Sequence, residues 1–181
     1  MKIREATEKD LPEIVKIGIA TWRTTYAGMI PAETLANMSQ EWGVEKRKKT
    51  LAEKLAGTKE WHTFVAEDDN GKIVGFIDGG PQRGEEHKIP DCAGELYAMY
   101  VLKAHQQKGV GRQLFLALVR RLLECKMNSM VVHVLEKNPS RKFYEKIGGE
   151  YLATNTIEIG GAKLEDVIYG WKDLRIITQE K

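Results

Sequence analysis

The chain has 181 residues, enough to bury a core within one ordinary domain, and its 42% hydrophobic and 30% charged residues are those of a globular protein. With 28 basic against 26 acidic residues the formal charge is +2, which excludes the global positive field that gathers nucleic acid or an anionic membrane. No apolar run approaches the ~18 residues of a membrane span and no leader pattern opens the chain, so a cytoplasmic location is the default expectation.

Residues 2–6 read as a short strand. Thr7 follows as a helix N-cap with Asp10 at the third position, and Leu11, Ile14, Val15, Gly18 and Ile19 recur at helical spacing to about Trp22. Gly28 and Pro31 break that pattern, and residues 32–38 and 42–56 form a second helical region ending at Gly57. The basic run 45–49 is a solvated helix face rather than a nucleic-acid patch. Residues 61–67 and 72–78 are strands joined by Asp68-Asp69-Asn70-Gly71, an antiparallel hairpin. Residues 80–93 are a polar loop, partly acidic through Glu85, Glu86 and Asp91.

Residues 95–102 form a strand whose alternation sets Glu95, Tyr97, Met99 and Val101 on one side and Leu96, Ala98 and Tyr100 on the other. A helix beginning at Gly111 carries an apolar stripe of Val110, Leu114, Leu118 and Leu122. Met130–Leu135 is a strand parallel to the previous one, because a helix intervenes. Asn138 as N-cap and Pro139 at the first helical position announce a helix over 140–147 that stops at Gly148-Gly149. Glu150–Ile159 and Ala162–Trp171 close the chain as a hairpin about Gly160-Gly161. The expected organisation is one α/β domain over 1–174, a mixed sheet of about seven strands with helices on both faces, and a tail over 175–181. Cys92 and Cys125 lack CxxC spacing, and the histidines at 62, 87, 105 and 133 lack ligand spacing, so reduced thiols and no metal are expected.

One stretch carries chemistry. Between strand and helix lie Gln106, Gln107, Lys108, Gly109, Val110, Gly111 and Arg112. The glycines let backbone N–H groups close on a ligand, the helix N-terminus adds unpaired donors and partial positive charge, and Lys108 and Arg112 bracket the turn: an anion cradle suited to a polyphosphate. A P-loop is excluded because the lysine precedes the glycines, and the dinucleotide fingerprint because its third glycine is Leu114 here.

Gln106-x-x-Gly109-x-Gly111 after a strand resembles the acetyl-coenzyme A loop of the GNAT superfamily of N-acetyltransferases. A second segment, Asn138 through Phe143-Tyr144 to Gly148, looks like that family's asparagine, helix, aromatic-tyrosine and glycine segment, and the element order matches over nearly the whole chain. Two departures stand out: the family's usual proline near Lys103 is missing, and Gly149 replaces an aromatic. The resemblance implies a GNAT fold with a splay between the two central parallel strands. Acetyl-CoA would lie there on the backbone of Met99 and Val101, with its pyrophosphate on residues 107–112 and its pantetheine arm on Asn138.

Acyl transfer to an amine of pKa ~10.4 meets a deprotonation deficit of about 4–5 kcal/mol at neutral pH. Glu95, read as sharing Met99's face, is the candidate base, directly or through water; it reads equally as a solvated strand end or an acceptor-binding charge. Tyr144 is the candidate acid for the leaving thiolate, against the reading of a core tyrosine. By family analogy Trp22, Thr25 and Tyr26, with Glu95, wall an acceptor that is a small-molecule or protein amine, without nucleic acid, membrane or metal. A homodimer is compatible with the family. The rival readings are a non-catalytic acyl-CoA sensor module and a nucleotide-binding protein.

Overall fold

The computed structural model describes residues 1–84 and 88–179. The elements are β1 (Lys2–Glu5), a 3-10 turn (Glu8–Asp10), α1 (Leu11–Thr25), α2 (Ala32–Ala36), α3 (Gln40–Leu55), β2 (His62–Glu67), β3 (Ile73–Pro81) and β4 (Gly94–Val101). A second 3-10 turn (Lys103–His105) leads to α4 (Val110–Glu124), then β5 (Met130–Leu135), α5 (Arg141–Lys146), β6 (Glu150–Ile159), β7 (Ala162–Trp171) and α6 (Leu174–Gln179). Thr7 and Asp10 do cap the first helical turn, with Thr7 N–H donating to Asp10 Oδ2 at 2.7 Å. Leu174, the last residue of the expected domain, is fully buried, and α6 runs on over the expected tail to Gln179 with Ile177 packed against the main core.

The strands form one seven-stranded mixed sheet in the order β1-β2-β3-β4-β5-β7-β6. On one face the stripe of α4 packs Leu114, Phe115, Leu118 and Leu122 against Ile77, Leu96, Val132 and Tyr169. On the other, Leu11, Ile14 and Ile17 of α1 cover Val65 and Phe76. Leu35 of α2 meets Ile30 and Leu135, with Ile157 and Leu164 of the closing hairpin beside them. β3 runs three residues past the expected end because Gly79, Gly80 and Pro81 pair with Leu96, Glu95 and Gly94.

Two irregularities of β4 open the sheet near its centre. Its parallel ladder with β5 holds only Gly94 to Met130, Glu95 to Val131 and Leu96 to Val132, so the strands part from Tyr97 onward. Against β3, Asp78 faces Ala98 while Gly79 faces Leu96, which leaves Tyr97 as the extra residue of a bulge. The bulge corrects the expected faces. Leu96, Met99 and Val101 share the α4 side, and Ala98 and Tyr100 lie on the α1 side. Glu95, adjacent to Leu96, therefore faces away from Met99, because one unpaired residue reverses the period-2 alternation.

Candidate active site

The loop between β4 and α4 has the expected form. Gly109 precedes α4 with φ 80°, a left-handed conformation open to glycine at little cost, and Gln107 adopts φ 59°. Gln113 N–H is bonded to Gly109 O at 3.1 Å, and the N–H groups before it form the open end of a 15-residue helix. Lys108 and Arg112 are exposed, and among the described residues neither forms an ion pair with a carboxylate. Gly111 lies under the Phe143 ring, where a Cβ would stand 3.4 Å from Cε2. Gln106 braces the turn: its Nε2 donates to Val101 O at 2.9 Å, so that carbonyl already has a partner.

Beyond the last β4–β5 pair, side chains from both faces of the sheet meet at the gap. Trp22 Nε1 donates to Tyr100 OH at 2.7 Å, the Tyr100 and Tyr26 hydroxyls are bonded, and Asn138 Nδ2 donates to Tyr26 OH at 3.3 Å. Asn138 is buried and is not the helix N-cap that the sequence announces. Its Oδ1 accepts from Ser140 N–H at 2.9 Å in a local turn, and α5 starts only after Ser140. Tyr144 of α5 is buried edge-on to Phe143 and Trp171. Burial, reinforced by the nearby Tyr26, pushes its phenol well above the usual range, so it stays protonated, and burial does the same for Tyr100.

Glu95 sits elsewhere. It is 4% exposed, within the paired stretch of β4, and Arg83 holds it with the backbone N–H at 2.8 Å and the guanidinium at 2.6 and 3.2 Å. The same guanidinium stacks 3.9 Å from the Tyr97 ring centre. Arg83 and Tyr97 line the rim of a cavity of about 380 Å³ between α1, α3 and the sheet, whose wall includes Trp22, Met38, Trp61 and Tyr100. The structure thus brings Trp22, Tyr26, Asn138 and Tyr144 together and sets Glu95 apart from them. Of the acidic loop, Glu85 and Glu86 lie outside the described residues.

Several residues escaped the sequence reading. Arg83 lies in a stretch without periodicity. His133 and Asp166, 33 positions apart, meet at 2.7 Å only because β5 pairs with β7. Glu60, His62 and Cys125 also converge, with ligand atoms within 4.8 Å, near the end of α4 opposite the loop. His62 is held below the usual histidine range by burial and by Lys54.

Residues 59–148 match the family model for an acetyltransferase (GNAT) domain. An uncharacterized N-acetyltransferase of Bacillus subtilis (strain 168), YuaI, is 37% identical over 172 residues, 95% of this chain and 93% of the relative. The chain belongs to the GNAT family of N-acetyltransferases. Among solved GNAT structures, the PaiA N-acetyltransferase of Thermoplasma acidophilum, in complex with coenzyme A, is similar with a TM-score of 0.73 at 20% identity, covering 93% of this chain and 96% of that one. YncA of Salmonella typhimurium, solved with acetyl-CoA, has a TM-score of 0.70 at 22% identity, covering 96% and 94%. At such identities the likeness is one of fold.

Proposed function

We propose that this GNAT protein transfers the acetyl group of acetyl-CoA directly to a primary amine of a small molecule or an exposed protein site. The observation that carries the reading is the early end of the β4–β5 ladder, opening a gap between the α4 N-terminus and the buried Tyr144. PaiA and YncA, solved with coenzyme A and acetyl-CoA, support the choice of co-substrate.

In this reading the pyrophosphate rests on the N–H groups of residues 107–112 with Lys108 and Arg112 supplying charge, and the pantetheine arm follows Met99 and Asn138. The acyl oxygen takes a backbone N–H of β4 at Met99 as charge develops. When the C–S bond breaks, the thiolate takes the Tyr144 phenol proton, which burial has kept in place. Glu95, fully engaged, fixes Arg83 over Tyr97 at the acceptor cavity and acts through that placement.

The test is steady-state release of the coenzyme A thiol with a diamine, an arylalkylamine, an amino acid and a peptide bearing a free N-terminus. Tyr144→Phe is expected to lower kcat about 10²-fold or more while the coenzyme A dissociation constant stays within a factor of about three. Normal turnover in that variant removes the tyrosine's role. Coenzyme A binding with no thiol release for any amine would make the protein an acyl-CoA-binding module.

A further inference from the structure

We infer that His133 and Asp166 form the proton-accepting dyad for the acceptor amine, an inference that rests on the acetyl-transfer reading above. His133 is the first β5 residue past the last pair with β4, so it stands where the two strands begin to part. Met130, Val132 and Val134 point into the α4 core, whereas Leu135 points to the α2 side with Trp22 and Tyr26. By strand alternation His133 shares that second face, and Asp166 of β7 lies on it beside Leu135.

The pair has the form of a base with an orienting group. Asp166 is 3% exposed and its Oδ2 lies 2.7 Å from His133 Nδ1. A buried carboxylate is an acceptor, so Nδ1 carries the proton and Nε2 is left with its lone pair. Nε2 has no hydrogen-bond partner among the described residues, and the His133 side chain is 25% exposed. The charge of Asp166 also acts on Tyr26, which places the dyad beside the tyrosine network at the gap. No comparable freedom exists at Glu95, which Arg83 encloses.

The proton balance closes. An amine arriving as ammonium first loses a proton to solvent, so Nε2 keeps its lone pair. The amine lone pair forms the C–N bond at the thioester carbon, and the proton then carried by the new N–C unit passes to Nε2. The C–S bond breaks, the sulfur takes the Tyr144 proton, and exchange with solvent resets imidazolium and phenolate. Asp166 of β7 is hydrogen-bonded to the imidazole, and its charge acts on the phenol of Tyr26 at the end of α1. Burial keeps the phenols of Tyr26, Tyr100 and Tyr144 neutral.

The experiment measures kcat/KM for the amine against pH at saturating acetyl-CoA, in the wild type, His133→Gln and Asp166→Asn. The wild type is expected to show an acid limb, losing activity as pH falls, because a protonated Nε2 no longer accepts the amine proton. His133→Gln is expected to lower kcat/KM by about 10²-fold and to abolish that limb, with coenzyme A affinity unchanged. Asp166→Asn is expected to fall less, since the imidazole is oriented wrongly rather than removed. His133→Gln with near-normal activity and an intact limb overturns the dyad while leaving acetyl transfer standing. A wild type that binds coenzyme A and acetylates no amine overturns both. Loss of coenzyme A affinity in His133→Gln would show a structural role and overturn the dyad as well.

Discussion

Gly149 shows how one position is decided by a distant one. The family's aromatic is missing there, and the structure fills its place from β7: Trp171 donates from Nε1 to Ile147 O at 3.0 Å and packs against Phe115 and Tyr144. A Cβ on Gly149 would stand 2.8 Å from Tyr144 O and 3.0 Å from Trp171 Cζ2. Gly149→Phe, a return toward the family pattern, is therefore expected to destabilise by about 1–3 kcal/mol and to lower turnover by displacing Tyr144. Urea unfolding and thiol-release rates check both parts; an unchanged denaturation midpoint would contradict this packing. Tyr144, Asn138 and Tyr26 were legible because motif letters or position pointed at them. His133, Asp166 and Arg83 were not, since each acquires meaning only through a partner remote in sequence.

The element that carries the cofactor reading is α4 with its loop. Its apolar stripe and glycines could be read directly, because helix period and left-handed φ are local requirements. Gly111→Asp is expected to weaken coenzyme A binding at least tenfold, about 1.4 kcal/mol, since it sets a negative charge in the cradle and crowds Phe143. Calorimetric titration giving an unchanged dissociation constant would remove the cradle. β4 was less legible. Its residues alternate cleanly in the sequence, and the bulge at Tyr97 that turns Glu95 away from Met99 arises from pairing with β3, which no property of β4 alone announces.

Across the whole molecule, the first strand and the first helical turn are tied to the sheet by Arg4. Its guanidinium reaches Asp10 at 2.7 and 2.8 Å and Glu67 at 2.6 Å. The Arg4 hydrogen bond, aided by the Thr7 N–H, pushes the Asp10 carboxyl down to about 2. Because the folded pKa lies below the ordinary value of 3.8, the stabilisation is present above pH 3.8 and is lost as pH falls toward 2. After allowance for solvent screening it amounts to about 1–2 kcal/mol. Asp10→Asn is expected to be less stable at neutral pH and to show a flatter decline between those limits. Thermal midpoints measured against pH test this, and parallel curves for the two proteins would exclude it.

By itself the sequence determined the element order, the glycine turn before α4 and the place of Tyr144, because hydrophobic period, backbone freedom and motif spacing are local properties of the chain. Tertiary structure alone decided that β4 and β5 part after three pairs, that Glu95 is enclosed by Arg83, and that His133 meets Asp166 beside the gap. Those outcomes depend on register between strands far apart in sequence, and a shift of one residue exchanges which side chains face the acceptor.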